Sequence, residues 1–117
     1  MERTVKIDGR DVRMRASALI PRLYRYKFGR DVVQDMATLR KNYLKAKDED
    51  GELSAIDLEV FENIAWLMIR HAGEDIPDSP EEWLDTIDGV FSVYEILPVI
   101  LDLWGQNFAT TAKAKKK

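Results

Sequence analysis

Residues 4–16, TVKIDGRDVRMRA, decide how the chain begins to fold. Val5 and Ile7 alternate with Thr4, Lys6 and Asp8, and after Asp8-Gly9 the alternation resumes at Val12, Met14 and Ala16. An Asp-Gly pair between two alternating segments predicts a β-hairpin, because glycine takes a positive φ without a steric cost. Two registers fit. A two-residue turn at 8–9 pairs Val5 with Val12, whereas a four-residue loop over 8–11 pairs Ile7 with Val12 and Val5 with Met14. Either way the apolar residues share one face, and the other carries Lys6, Arg13 and Arg15.

Beyond the hairpin the spacing is helical. Ser17 is placed to cap a first helix to about Phe28, but Pro21 is tolerable only near a helix start, which moves the true first turn to 20–21. Leu23, Tyr24 and Phe28 share one face of it, with Arg22, Arg25 and Tyr26 on the other; Gly29 is a natural left-handed stop. Asp31 caps a second helix to about Ala46, with Val32, Met36, Leu39 and Tyr43 at helical spacing. A charged loop, 47–53, turns at Gly51. Ser54 caps a third helix with Asp57 in its first turn, and Val60, Phe61, Ile64, Ala65, Leu67 and Met68 mark it as the central core helix. His71 and Gly73 mark its end. Ser79-Pro80-Glu81-Glu82 starts a short helix to about Ile87. A last helix runs from about Gly89 to Trp104; Pro98 inside it predicts a kink or two short helices, and Gly105-Gln106-Asn107 closes it. The expected architecture is α+β: one domain over 1–108, a hairpin packed on four to five helices, followed by a disordered basic tail over 109–117, which lacks large apolar residues.

Charge divides along the chain. Residues 1–47 hold 13 Lys/Arg against 5 Asp/Glu, a net of +8, while residues 48–108 hold 16 Asp/Glu and a single basic side chain, Arg70, a net of −15. Four lysines in the tail bring the whole to −3. Such a division suggests that the two parts meet each other, a second copy or a partner, and Arg13, Arg15, Arg22 and Arg25 are the candidate residues for self-association or charged contact. The same arginines would suit nucleic-acid phosphates, but no recognised nucleic-acid motif accompanies them and the sequence pI is about 5.2. No cysteine is present, which excludes disulfides, thiolate metal sites and cysteine nucleophiles. Asp48 to Glu52 has the wrong spacing for a calcium loop. His71 is the single histidine, without a metal-binding context, and its place at a helix C-terminus suits a partly protonated ring. With no glycine-rich phosphate loop or nucleophile elbow, the pattern points away from an enzyme and calls for no cofactor. The most apolar run, 96–104, is too short to span a bilayer and contains Asp102, so the reading is a soluble protein without a membrane partner. Trp83, among Glu81, Glu82 and Asp85, is expected to be partly exposed. Ile100, Leu103, Trp104 and Phe108 end the apolar run, which is either a buried last helix or, with Trp83, a partner-binding surface.

These residues also carry a family resemblance. Lys6-Ile7-Asp8-Gly9-Arg10 with Val12-Arg13, then Ala18, Pro21-Arg22-Leu23-Tyr24-Arg25 and Lys27-Phe28-Gly29-Arg30-Asp31, resemble the tail assembly chaperones of long-tailed bacteriophages and prophages of Gram-positive bacteria. Glu59, Ala65-Trp66, Ile96-Leu97-Pro98 and Leu103-Trp104-Gly105 extend the likeness over about residues 5–108. The resemblance implies a non-enzymatic protein of the host cytoplasm that coats the tape-measure protein, keeps it soluble, helps recruit tail-tube subunits and is absent from the mature virion. It also implies many copies acting together, and a longer frameshifted form that carries most of the tube-protein binding; Lys115-Lys116-Lys117 would fit an A-rich slippery stretch. The rival readings are a head–tail or tail component retained in the virion and a small nucleic-acid-binding regulator.

Overall fold

Asp8 and Gly9 both sit in the left-handed region, at φ 55° and 75°, and this pair makes the two-residue turn of the hairpin. The turn selects the register: β1 (Glu2–Ile7) pairs antiparallel with β2 (Arg10–Arg15), Val5 opposite Val12 and Arg3 opposite Met14. Residues Met1 and Ala16 continue the ladder, each donating to the other's carbonyl at 2.8 Å. The computed structural model describes residues 1–49 and 51–105. After the hairpin come α1 (Ile20–Phe28), α2 (Val32–Asp48), α3 (Ala55–His71), α4 (Pro80–Asp85), a 3-10 turn (Tyr94–Ile96) and a helical segment over 97–105, here α5. The fold is α+β, a hairpin packed on five helices.

Helix α3 is the centre, as its sequence predicts. It packs against β2, α1, α2 and α4, and Phe61, Ile64, Ala65, Trp66, Leu67, Met68 and Ile69 are all buried. Val5, Ile7, Met14 and Ala16 cover it from the hairpin, Ile20 and Tyr24 from α1, and Val32, Met36 and Leu39 from α2. Burying each such side chain is worth about 1.5–3 kcal/mol, so most of the stability resides here. The caps agree with the sequence. Asp31 accepts from Val33 N at 2.9 Å, Ser79 from Glu82 N at 3.1 Å, and Ser54 and Asp57 form a reciprocal capping box. Gly29, at φ 67°, closes α1 as a left-handed residue.

Three expectations need correction. Helix α1 begins at Ile20, as Pro21 predicts, but Ser17 does not cap it: the N-cap is Leu19 without a side-chain cap, and Ser17 Oγ instead accepts from Leu19 N at 3.2 Å in the turn before it. Trp83 is buried, because Pro80 and Trp83, three apart, face inward together while Glu81 and Glu82 take the water side. The last helix does not start at Gly89. A turn follows Asp88, then the 3-10 turn, and Pro98 lies in the first turn of α5, where its missing N–H is no loss. Of the two outcomes that Pro98 predicts, a kink or two short helices, the second is found. The proposed helix end at 105–107 and the tail over 109–117 fall largely or wholly outside the described residues. No described helix is long and apolar enough to cross a membrane.

One carboxylate fixes the turn before α5. Asp8, in the hairpin turn, accepts from Asp88 N (2.8 Å), Gly89 N (3.0 Å) and Ser92 Oγ (2.8 Å). The bond from Ser92 and those from the two backbone amides hold its carboxyl below the usual range. A Cβ at Gly89 would overlap both Ser92 Oγ and Asp8 Oδ1. Gly89→Ala is therefore expected to destabilise by about 1–2 kcal/mol, at the low end for overpacking because both neighbours can swing into water. Urea denaturation measures it; an unchanged midpoint would remove the close approach from the account.

Candidate protein-binding surface

The structure separates the candidate partner residues. Trp83, Ile100 and Leu103 are buried in the chain's own core, so the buried-last-helix alternative holds for Ile100 and Leu103, and all three are withdrawn from any surface a partner reaches in this conformation. The reason is the 3.6-residue period: Leu97, Ile100, Leu101 and Leu103 wrap the inner side of α5, while Pro98 and Asp102 take the outer side. Trp104 alone stays half-exposed. It lines a small apolar notch of about 150 Å³ with Val33, Met36, Ala37 and Arg40 of α2. Phe108 lies outside the described residues.

The four arginines also divide. Arg13 is engaged within the chain: its backbone N–H donates to Glu74 Oε2 at 2.9 Å, and its guanidinium lies 3.5 Å from Glu74 and 3.9 Å from Glu2. Arg3, on the core-side face of the hairpin, pairs with Asp102 of α5 at 3.0 Å. Arg15, Arg22 and Arg25 are exposed and form no ion pair with any described residue. Internal neutralisation thus accounts for only part of the charge division, and α1 keeps an unpaired cationic face.

That face borders a groove the sequence did not reveal. Leu23, Tyr26 and Lys27 of α1 and Trp66, Leu67, Arg70 and His71 of α3 line an open groove of about 500 Å³. Tyr26 is 77 % exposed. Its neighbours on the helix face are Arg22, one turn earlier, and Leu23. The Trp66 indole forms the floor, its Nε1 donating to Pro77 O at 2.9 Å. Lys27 Nζ and the Arg70 guanidinium stand 5.3 and 5.6 Å from the indole centre, within cation–π range. Arg70 is also held by Asp78 at 2.7 Å. The sequence placed Trp66 in the core and Tyr26 on the polar face; that the two border one concavity depends on the crossing of α1 and α3. An apolar, aromatic floor with a cationic rim suits an apolar side chain flanked by carboxylates.

His71 lines the same groove, and its surroundings lower its basicity. Its Nε2 lies 2.7 Å from Ser17 Oγ, and burial, then Arg15 and the N-terminal ammonium, push its pKa down. The shift favours the neutral ring, against the partly protonated one that a helix C-terminus suits. A lowered folded-state pKa means the unfolded chain binds the proton more readily, so the contribution is fully present above about pH 6.5 and is lost as pH falls through the folded value. Wild-type stability is expected to drop more than that of His71→Gln between pH 7.5 and 5, measured as urea midpoints. Parallel profiles would refute it, since the chain has no other histidine.

Among the described residues no group of His, Asp or Glu is arranged to hold a metal ion. The remaining buried carboxylates are structural. Asp35 is bonded to Tyr24 and Arg30, and Asp57 accepts two 3.1 Å bonds from Asn42 Nδ2 besides its capping role. Comparison with family models, with curated proteins and with solved structures returns no match for the chain.

Proposed function

We propose that the chain is a tail assembly chaperone, a non-catalytic protein that binds and solubilises a tape-measure protein and helps recruit tail-tube subunits in the host cytoplasm. The observation that carries this reading is the set of signatures from Lys6-Ile7-Asp8-Gly9-Arg10 to Leu103-Trp104-Gly105, spread over nearly the whole domain. The surface is compatible with it. The notch at Trp104 and the groove at Trp66 are lined by apolar and aromatic side chains, as docking sites for a long helical client would be. On this reading Trp104 is the partner contact retained from the apolar run, and Ile100 and Leu103 act by holding α5 in place.

The test is co-expression with the long tape-measure gene of the same cluster. The expected result is that the client turns from insoluble to soluble and co-purifies with this chain, and that mass spectrometry of purified virions finds the chain missing. A client equally insoluble with and without it, or the chain among virion proteins in stoichiometric amount, would overturn the proposal.

A further inference from the structure

The chain exposes an apolar knob as well as a groove. Val90 and Phe91, 76 and 73 % exposed, project side by side from the turn after Asp88. Asp85, Asp88 and Glu95 surround them in sequence, all exposed, and none is paired with a described cation. Scattered apolar residues on a surface are ordinary. A Val-Phe pair on a turn anchored by three hydrogen bonds to Asp8 is a presented side chain rather than a loose one.

Knob and groove match in chemistry. The knob is aromatic and apolar with an acidic surround. The groove has an aromatic floor and a rim of Lys27 and Arg70, with the unpaired Arg22 one turn from Tyr26. They do not meet within one copy: Val90 and Phe91 stand exposed and are not among the residues that line the groove.

We propose that the α1/α3 groove receives the Val90-Phe91 knob of a second copy of this chain. Because the two surfaces differ, the contact is heterologous, and a joined pair keeps one free groove and one free knob. Repetition therefore builds an open row or a closed ring rather than a two-fold dimer. The acidic surround against the cationic rim sets the orientation and makes the association sensitive to salt. The inference rests on surface chemistry alone and stands apart from the tail-assembly reading.

Analytical ultracentrifugation with two complementary variants tests it. Val90→Ser/Phe91→Ser removes the knob and leaves the groove; Arg22→Glu/Tyr26→Ala alters the groove and leaves the knob. All four positions are exposed, so both variants should keep the wild-type circular dichroism and melting temperature. The wild type is expected to grow in mass with concentration at low salt and to shrink at high salt. Each variant alone should be a monomer, and an equimolar mixture should form a species of twice the protomer mass that goes no further. A wild type that stays monomeric up to millimolar concentration at low salt would overturn the proposal. So would variants that assemble as the wild type does, or a mixture that contains monomers only.

Discussion

Leu103→Ala is expected to cost about 2–5 kcal/mol of folding stability, the range for removing a fully buried leucine side chain from a close-packed core. Leu103 is 1 % exposed, within an α5 whose inner side also carries Leu97, Ile100 and Leu101. The value separates two roles. A residue kept for a partner leaves the isolated chain's stability nearly untouched when truncated; a core residue lowers it whether or not a partner is present. Urea denaturation of the isolated protein gives the answer, and a companion Phe91→Ala should fall within about 0.5 kcal/mol of wild type, as exposed substitutions do. A Leu103→Ala cost under about 1 kcal/mol would mean that α5 is not packed as described. In a domain of this size each kcal/mol moves the melting midpoint by about 4–8 °C, so the expected loss is at least about 8 °C. Against a total of about 5–15 kcal/mol it is a large share of the stability.

The parts of the fold that were legible in the sequence are those set by local chemistry. Asp8-Gly9 fixed the hairpin face, and the structure chose the tighter register because both residues adopt positive φ. Asp31, Ser54 and Ser79 each cap the helix that follows, since a short side-chain oxygen can reach the free N–H groups of a first turn. Position along the last helix was harder. A proline is tolerated in a first turn and disruptive in the middle, and Val90, Phe91 and Val93 continue the apolar pattern without themselves being helical. What sequence could not supply is which faces meet. Trp83 reads as exposed from its acidic neighbours, yet its own face of α4 turns inward. The groove between α1 and α3 arises from packing alone. Asp35 had a signal that went unread: it stands three residues after Val32 and four before Leu39, within the apolar stripe of α2, where an acid must have a partner.

That partner set leads to the second large effect. Asp35→Ala is expected to cost about 2–4 kcal/mol. Asp35, 6 % exposed, accepts a 2.8 Å bond from the Tyr24 hydroxyl and two of 2.8 Å from Arg30 Nε and Nη2. The arginine side chain is 58 % exposed, so water would re-solvate it and its share of the loss is small. The tyrosine is fully buried; without the carboxylate its hydroxyl is left without an acceptor, a penalty of about 1–3 kcal/mol. Loss of an acid from the first turn of α2 adds about 0.3–1 kcal/mol. The double-mutant cycle with Tyr24→Phe isolates the tyrosine share: with no hydroxyl to orphan, Asp35→Ala should cost at least about 1 kcal/mol less in that background. Equal costs in both backgrounds would assign the loss to Arg30 or to the helix terminus. The pH dependence has a definite sign. The bonds from Arg30, then that from Tyr24, hold the Asp35 carboxyl below its ordinary value against the opposing effect of burial. The contribution is therefore present above about pH 3.8 and is lost as pH falls through the lower folded-state value. Asp35→Asn retains an oxygen for Tyr24 but cannot titrate, so its stability should fall less steeply than that of wild type below about pH 4.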